Sequence, residues 1–473
     1  MTILGGIVRR SFRGIWAVAL FTGVFALGQG KSGPVDPGVR GGATGAGTPL
    51  NGLTADETAF FLDGQVRFAN IEVVTGGSNN GLGPRFNSNQ CLSCHSQPAA
   101  GGSSPAKNPL PEMAALKGAK NTVPWFITPN GPVREARFKK TNGVADGEVH
   151  DIFVITGRSD APGCNIAQFD FLPAGNPVTG KGGNANIIFR IPTPVFGAGL
   201  IEAIPDSAIL ANLRANATEK SAMGISGHAN SHLSGNVNTS ANDGTITRFG
   251  WKAQNKSLLM FASEAYNVEM GVTNQLFPQE RDETPGCLFN ATPEDTLNFT
   301  PSATSGSNSN TAVVSDIEAF ANFMRMLAPP APAPSTPASD KGRAAFVNIG
   351  CAHCHTPSFT TGAKIASGSS TSPSIALSKQ PVNLFSDLLV HHMGKDLADG
   401  ITQGGAGPDE FRTAPLWGVG QRIFFLHDGR TSSLVEAIQA HKSRGSEASK
   451  VIERFNKLKA EEQQDIVDFL RTL

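Results

Sequence analysis

Two pentapeptides carry the most specific chemistry in the chain: Cys91-Leu92-Ser93-Cys94-His95 and Cys351-Ala352-His353-Cys354-His355. In a CxxCH segment two cysteine sulfurs add across the vinyl groups of a haem, and the adjoining histidine is held where it must ligate the iron from the proximal face. A lone CxxC suits zinc or dithiol chemistry, but a zinc ribbon needs its four cysteines closer together than these. The spacing predicts two covalently bound c-type haems. Cys91, Cys94, Cys351 and Cys354 are the attachment points, and His95 and His355 the proximal ligands.

Those two histidines fill two of four axial positions, so the distal sides decide the chemistry. Of the ten histidines, His150, His228, His232, His353, His391, His392, His427 and His441 remain. None lies between His95 and His150. The first haem is therefore expected to be five-coordinate and open to a small oxidant, which a catalytic haem requires. The alternative is a cap from Met113 or a distant histidine. The second haem has His391, His392, His427 and His441 close in sequence. Six-coordination there is easy, and a saturated haem stores and passes electrons.

The elements that must hold these groups are partly legible. Thr54 and Glu57 form a capping box that opens a helix carrying Phe60, Phe61 and Phe68. A helix is predicted over Ser315–Leu327, with Ile317, Phe320, Phe323, Met324 and Leu327 on one face. Between about 120 and 300 short alternating stretches, such as Ile152–Ile155 and Asn186–Ile191, read as strands among turns. A Pro-rich run from Pro329 to Pro334 reads as a stiff linker. Beyond it a helix leads into the second CxxCH, and Ala460-Glu461-Glu462 opens a closing helix. The expected fold is mainly α with extensive loops and short strands, in two cytochrome c-like domains, the first with a large insertion. The divisions are a signal peptide 1–30, a flexible segment 31–50, an N-terminal domain 51–328 with the catalytic haem, a linker 329–338 and a C-terminal domain 339–473 with the electron-transfer haem.

Arg9, Arg10 and Arg13 precede an apolar run from Ile15 to Leu27, followed by Gly28 and Gly30. This is the layout of a secretory signal, and the run is short for a membrane span. A soluble periplasmic protein is expected; an uncleaved N-terminal anchor is the alternative. Cys164 and Cys287, each in a Pro-Gly turn, suit a disulfide in an oxidising compartment. The formal net charge is zero, so no basic field points to nucleic acid.

Longer motifs carry a family resemblance. Gly81-Leu82-Gly83-Pro84-Arg85-Phe86-Asn87 leading to the first CxxCH, Gly197–Pro205, Arg248–Ala253, Ser386–Gly394, Phe411–Gly418 and Phe425–Arg430 resemble the bacterial di-haem oxidoreductases, a family of peroxidase-type enzymes. That family is similar, more distantly, to di-haem cytochrome c peroxidases, the methylamine-utilisation di-haem enzyme and rubber oxygenases. The resemblance implies oxidant chemistry at the N-terminal haem, electrons from the C-terminal haem and a tryptophan between them. Glu269, in Asn267-Val268-Glu269-Met270-Gly271, resembles the peroxidases' distal acid; its alternative is a surface or calcium-loop carboxylate, so calcium stands as a candidate cofactor. Trp251, eighteen residues earlier, resembles the bridging tryptophan. His441, fourteen residues after His427, stands where those peroxidases take a distal methionine and implies a bis-histidine haem. Tyr266, the only tyrosine, is an oxidisable or hydrogen-bonding candidate near Glu269. Arg412 and Arg430 are candidates for the haem propionates, and His391 for a structural or propionate-linked role. The expected activity is reduction of peroxide with electrons from a small redox donor protein. The alternatives are an O₂-using dioxygenase of rubber-oxygenase type and a pure electron-transfer cytochrome.

Overall fold

A computed structural model describes residues 33–77, 79–171, 186–231, 246–296, 314–367 and 372–473. The stretch expected to be an export signal, His232 and the Ser/Asn/Gly-rich segment 302–311, which reads as an exposed loop, lie outside the described residues. Within them the protein is mainly helical, with long irregular segments and strands of two to four residues.

Helix α1 (Ala55–Phe68) opens on the expected capping box: Glu57 N–H donates to Thr54 Oγ1 at 3.2 Å, and Thr54 N–H to Glu57 Oε2 at 2.8 Å. A small antiparallel sheet follows, formed by β1 (Glu135–Phe138), β2 (Val149–His150) and β3 (Ile187–Arg190), with β1 in the middle. Helix α2 (Leu258–Met270) is capped by Ser257 and stopped by Gly271, whose φ of 70° a side chain would resist. Helix α3 (Asp316–Met326) lies within the range expected for it and is capped by Ser315. Gly64 lets α1 and α3 touch, since a Cβ there would collide with the Ala319 carbonyl and lie 2.8 Å from Phe323 Cβ. Phe61 and Phe68 stack against Phe323 at 5.4 and 4.9 Å.

The C-terminal part repeats this device. Helix α4 (Pro337–Ile349) begins with Pro337 in its first turn, inside the segment expected to be linker, and ends at Gly350 with φ 104°. Cys351 follows directly. Helices α5 (Leu434–Ala440) and α6 (Ala460–Thr472) complete this part, and α4 crosses α6 at Gly342. One large apolar cluster holds Phe61, Phe153, Tyr266 and Phe323; another holds Phe346, Phe385, Phe455 and Phe469.

The segment 31–50, expected to be flexible, is anchored over its described part. Asp36 pairs with Arg471 at 2.8 Å, Arg40 N–H reaches Gly420 O at 2.8 Å, and Ala331 N–H reaches Gly45 O at 2.8 Å. A Gly/Pro-rich sequence forms no regular element, but one buried ion pair and backbone bonds hold it. Cys164 and Cys287 form a disulfide. Among the described residues no helix is long and apolar enough to cross a membrane.

Candidate functional site

Each CxxCH opens onto its own cavity, of about 1230 Å³ for the first and about 1400 Å³ for the second with the open solvent at their mouths included. Both walls are largely apolar, as a porphyrin requires.

In the first cavity His95 Nδ1 bonds the Gly102 carbonyl at 3.0 Å, which fixes the ring and leaves Nε2 as the ligating nitrogen. Burial brings this ring down to about 4, so it is neutral, as a metal ligand must be. Among the described residues on this wall His95 is the only histidine. Met113, the alternative cap, is buried away from the cavity.

Helix α2 delivers both Tyr266 and Glu269 to this wall. Tyr266 donates its hydroxyl to Asp316 Oδ2 at 3.1 Å and packs edge-on to Phe320 at 5.1 Å. Glu269 takes a bond from Asn87 Nδ2 at 2.9 Å and shares another with Glu135, while burial and the charge of Glu135 push its carboxyl well above the usual range. Its own carbonyl accepts the Asn87 and Ser88 amides at 2.7 and 3.2 Å, tying the helix end to the segment just before Cys91. Glu135 stands on β1 and is gripped by Arg137 Nε at 2.7 Å. Glu135 and Arg137 line the cavity but carried no signal in the sequence: Arg134-Glu135-Ala136-Arg137 reads as an ordinary polar strand.

In the second cavity two imidazoles face one another. His355 Nδ1 bonds the Phe385 carbonyl at 3.0 Å, and His441, just past α5, bonds Ala437 O at 2.7 Å. Their ring centroids lie 6.5 Å apart. A metal between two imidazoles needs roughly 2 Å to each nitrogen and about 1 Å more to each ring centre, so an ion fits the gap. His427 also lines this cavity but stacks on Phe411 at 4.3 Å. His391 lines this cavity too and is clamped between Asp387 at 2.9 Å and Glu447 at 2.7 Å. His392 lies half-exposed beside Asp409.

Two buried guanidiniums border the second cavity. Arg412 Nε reaches Gly250 O at 3.0 Å, and Arg422 keeps Nε and Nη2 buried with no hydrogen-bond partner among the described residues. Burial lowers both to about 10, with Arg422 adding to the effect on Arg412. Orphaned buried donors are costly, and a haem propionate is the anion that would satisfy them. The residues present therefore fit the group. Arg430, the other propionate candidate, is not brought to either cavity: it is 39% exposed and paired with Asp428 at 2.7 Å, because its turn folds back on itself. Arg422 was missed, since a lone arginine before Ile423-Phe424-Phe425 gives no sign of what it faces.

Trp251 lines both cavities. Its indole N–H donates to Ile191 O at 2.9 Å, its carbonyl accepts the Arg412 amide at 2.9 Å, and the Arg422 guanidinium lies 5.6 Å from its ring centre. Among the described residues the one cluster of three metal-type ligands is Cys354, Asp387 and His391, a sulfur and nitrogen set unlike the oxygen ligands of calcium.

Comparison with known proteins gives the family. No curated protein matches the chain. Among solved structures, hydrazine synthase from Kuenenia stuttgartiensis is 20% identical over 33% of this chain and 55% of its own, with a TM-score of 0.21. A MauG-like protein associated with microbial copper homeostasis is 19% identical over 33% and 52%, with a TM-score of 0.23. The chain thus spans about half the length of these two. The diheme peroxidase BthA from Burkholderia thailandensis is 16% identical over 60% of this chain and 86% of its own, with a TM-score of 0.27. The family model described as "Di-haem oxidoreductase, putative peroxidase" matches residues 181–473, more than half of the chain and including the second CxxCH, Trp251, Glu269 and His441. The chain belongs to the di-haem oxidoreductase family.

Proposed function

We propose that the protein reduces peroxide at the first cavity, with electrons held at the second. The observation that carries this is the asymmetry of the two walls. Facing imidazoles, His355 and His441, close the second cavity to further ligands. In the first, His95 stands without a second histidine among the described residues, and buried carboxyls at Glu269 and Glu135 line the same cavity. Bound covalently through the four cysteines, the haems would supply the redox chemistry. His95 would hold the first; His355 and His441 would hold the second, with Arg412 and Arg422 on its propionates. Glu269 holds a proton beside the space where an oxidant would sit, which is the position of a general acid. Trp251, as the shared wall, is the side chain placed to conduct between the two sites.

The chain would be exported to the periplasm, form cytochrome c-like units over 51–328 and from α4 to the C-terminus, and take electrons from a small donor protein. Electron paramagnetic resonance and stopped-flow spectroscopy of the haem-loaded protein test it. One high-spin and one low-spin ferric haem, with rapid peroxide turnover against a reduced donor, are expected. Two low-spin haems would instead mark an electron carrier, and a stable O₂ adduct without peroxide turnover an oxygenase.

A further inference from the structure

The Glu135–Glu269 contact goes beyond a lone distal acid. Two carboxyls that share a hydrogen bond need one proton between them, because two carboxylates in contact in a buried site repel strongly. The surroundings differ sharply. Glu135 has Arg137 Nε at 2.7 Å, and Arg190 acts on it from β3, itself held by Asp399 at 2.7 Å and Gln403 at 2.6 Å. The two cations outweigh burial and keep Glu135 below its usual range. Among the described residues no cation pairs with Glu269. Its outside partner is the Asn87 amide, whose Oδ1 takes the Ile152 N–H at 2.9 Å, so that Nδ2 is the end turned to Glu269. The other charged groups near the pair are acids: Asp151, paired with Arg281 at 3.2 Å, acts on both, and Glu264, one turn earlier on α2, is bonded by Asn255.

We infer that Glu135 and Glu269 form a one-proton acid pair on the wall of the first cavity, in which Glu135 is the ionised member and the positioning residue that keeps the proton on Glu269. Opposed environments on paired carboxyls assign the acid and the base. Glu269 thus rests as a proton donor, and the vacancy for a proton lies on Glu135. The inference deepens the proposed peroxidase reading and rests on it only for what the proton is used for.

Infrared difference spectroscopy of the haem-loaded full chain, titrated with acid and base, tests the pair without any turnover. Beside the bands of Glu72 and Glu280, which burial raises to about 8, the wild type should show at neutral pH one protonated-carboxyl stretch that Glu269→Gln abolishes. In Glu135→Gln the midpoint of that band should fall by at least about one pH unit, a tenfold change in proton affinity. Glu135→Asp, which keeps the charge, should retain the band and guards against misfolding as the cause. A midpoint unmoved in Glu135→Gln, or no band lost in Glu269→Gln, overturns the inference. A chain with the band but no peroxide turnover sinks the peroxidase reading alone; one with turnover and no band sinks the pair alone.

Discussion

Replacing Gly342 by alanine should test how the second cavity is held. Gly342 is the point where α4 crosses α6, and an added Cβ would overlap the Asp465 carbonyl and lie 2.9 Å from Ile466 N. These are backbone atoms inside a helix and cannot rotate away, so the helices must separate. Overpacking of this kind costs about 1–3 kcal/mol, and contact with backbone puts this site at the upper end. Alanine returns roughly 1 kcal/mol of helix propensity, leaving a net loss of about 2 kcal/mol. At about 2.1 cal/mol/K of unfolding entropy per residue, each kcal/mol lowers the Tm of a chain of this size by about 1 °C, so a drop of roughly 2 °C is expected. Since α4 runs straight into Cys351, the low-spin signal of the second haem should weaken as well. Differential scanning calorimetry with parallel spectra of Gly342→Ala measures both. The control is Ala344→Gly on the exposed face of α4, which loses only the propensity. If Gly342→Ala is as stable as the wild type, the crossing is not a backbone contact and the reasoning fails.

His441→Ala should convert the second haem from low to high spin, visible in the Soret region and by paramagnetic resonance, while leaving the first unchanged. Arg422→Leu removes a buried cation beside the second cavity, so that haem's midpoint potential should fall in a redox titration; a rise would contradict the assignment. Joint replacement of Cys164 and Cys287 by serine opens a loop of 123 residues. By chain entropy this costs roughly 4–5 kcal/mol, readable as a lower urea midpoint with an unchanged Soret spectrum.

What could be read in advance was local or covalent. The CxxCH segments, the Thr54–Glu57 box and the Ser315 cap each depend on residues within a few positions of one another. The Cys164–Cys287 pairing followed from elimination among six cysteines. Glu135 lay beyond reach because its significance comes from Glu269, 134 residues later, brought near by a short sheet whose strands carry no strong pattern. Asp36 and Arg471 are separated by 435 positions, so composition suggested flexibility where one ion pair imposes order. Arg430 and Arg422 show the same limit from both sides: one guanidinium folded onto its neighbour, the other turned inward, and nothing in the flanking residues told them apart.

The bonds from Asn87 and Ser88 to the Glu269 carbonyl have a metric consequence. They join the end of α2 to the strand of chain that leads into Cys91, so the acid and the anchor of the cofactor belong to one backbone frame. The clearance above a haem held at Cys91 and Cys94 would then be gauged by peptide geometry, and side chains would only furnish it. Substitutions along that wall should retune what the enzyme does with a ligand far more readily than how large a ligand it admits.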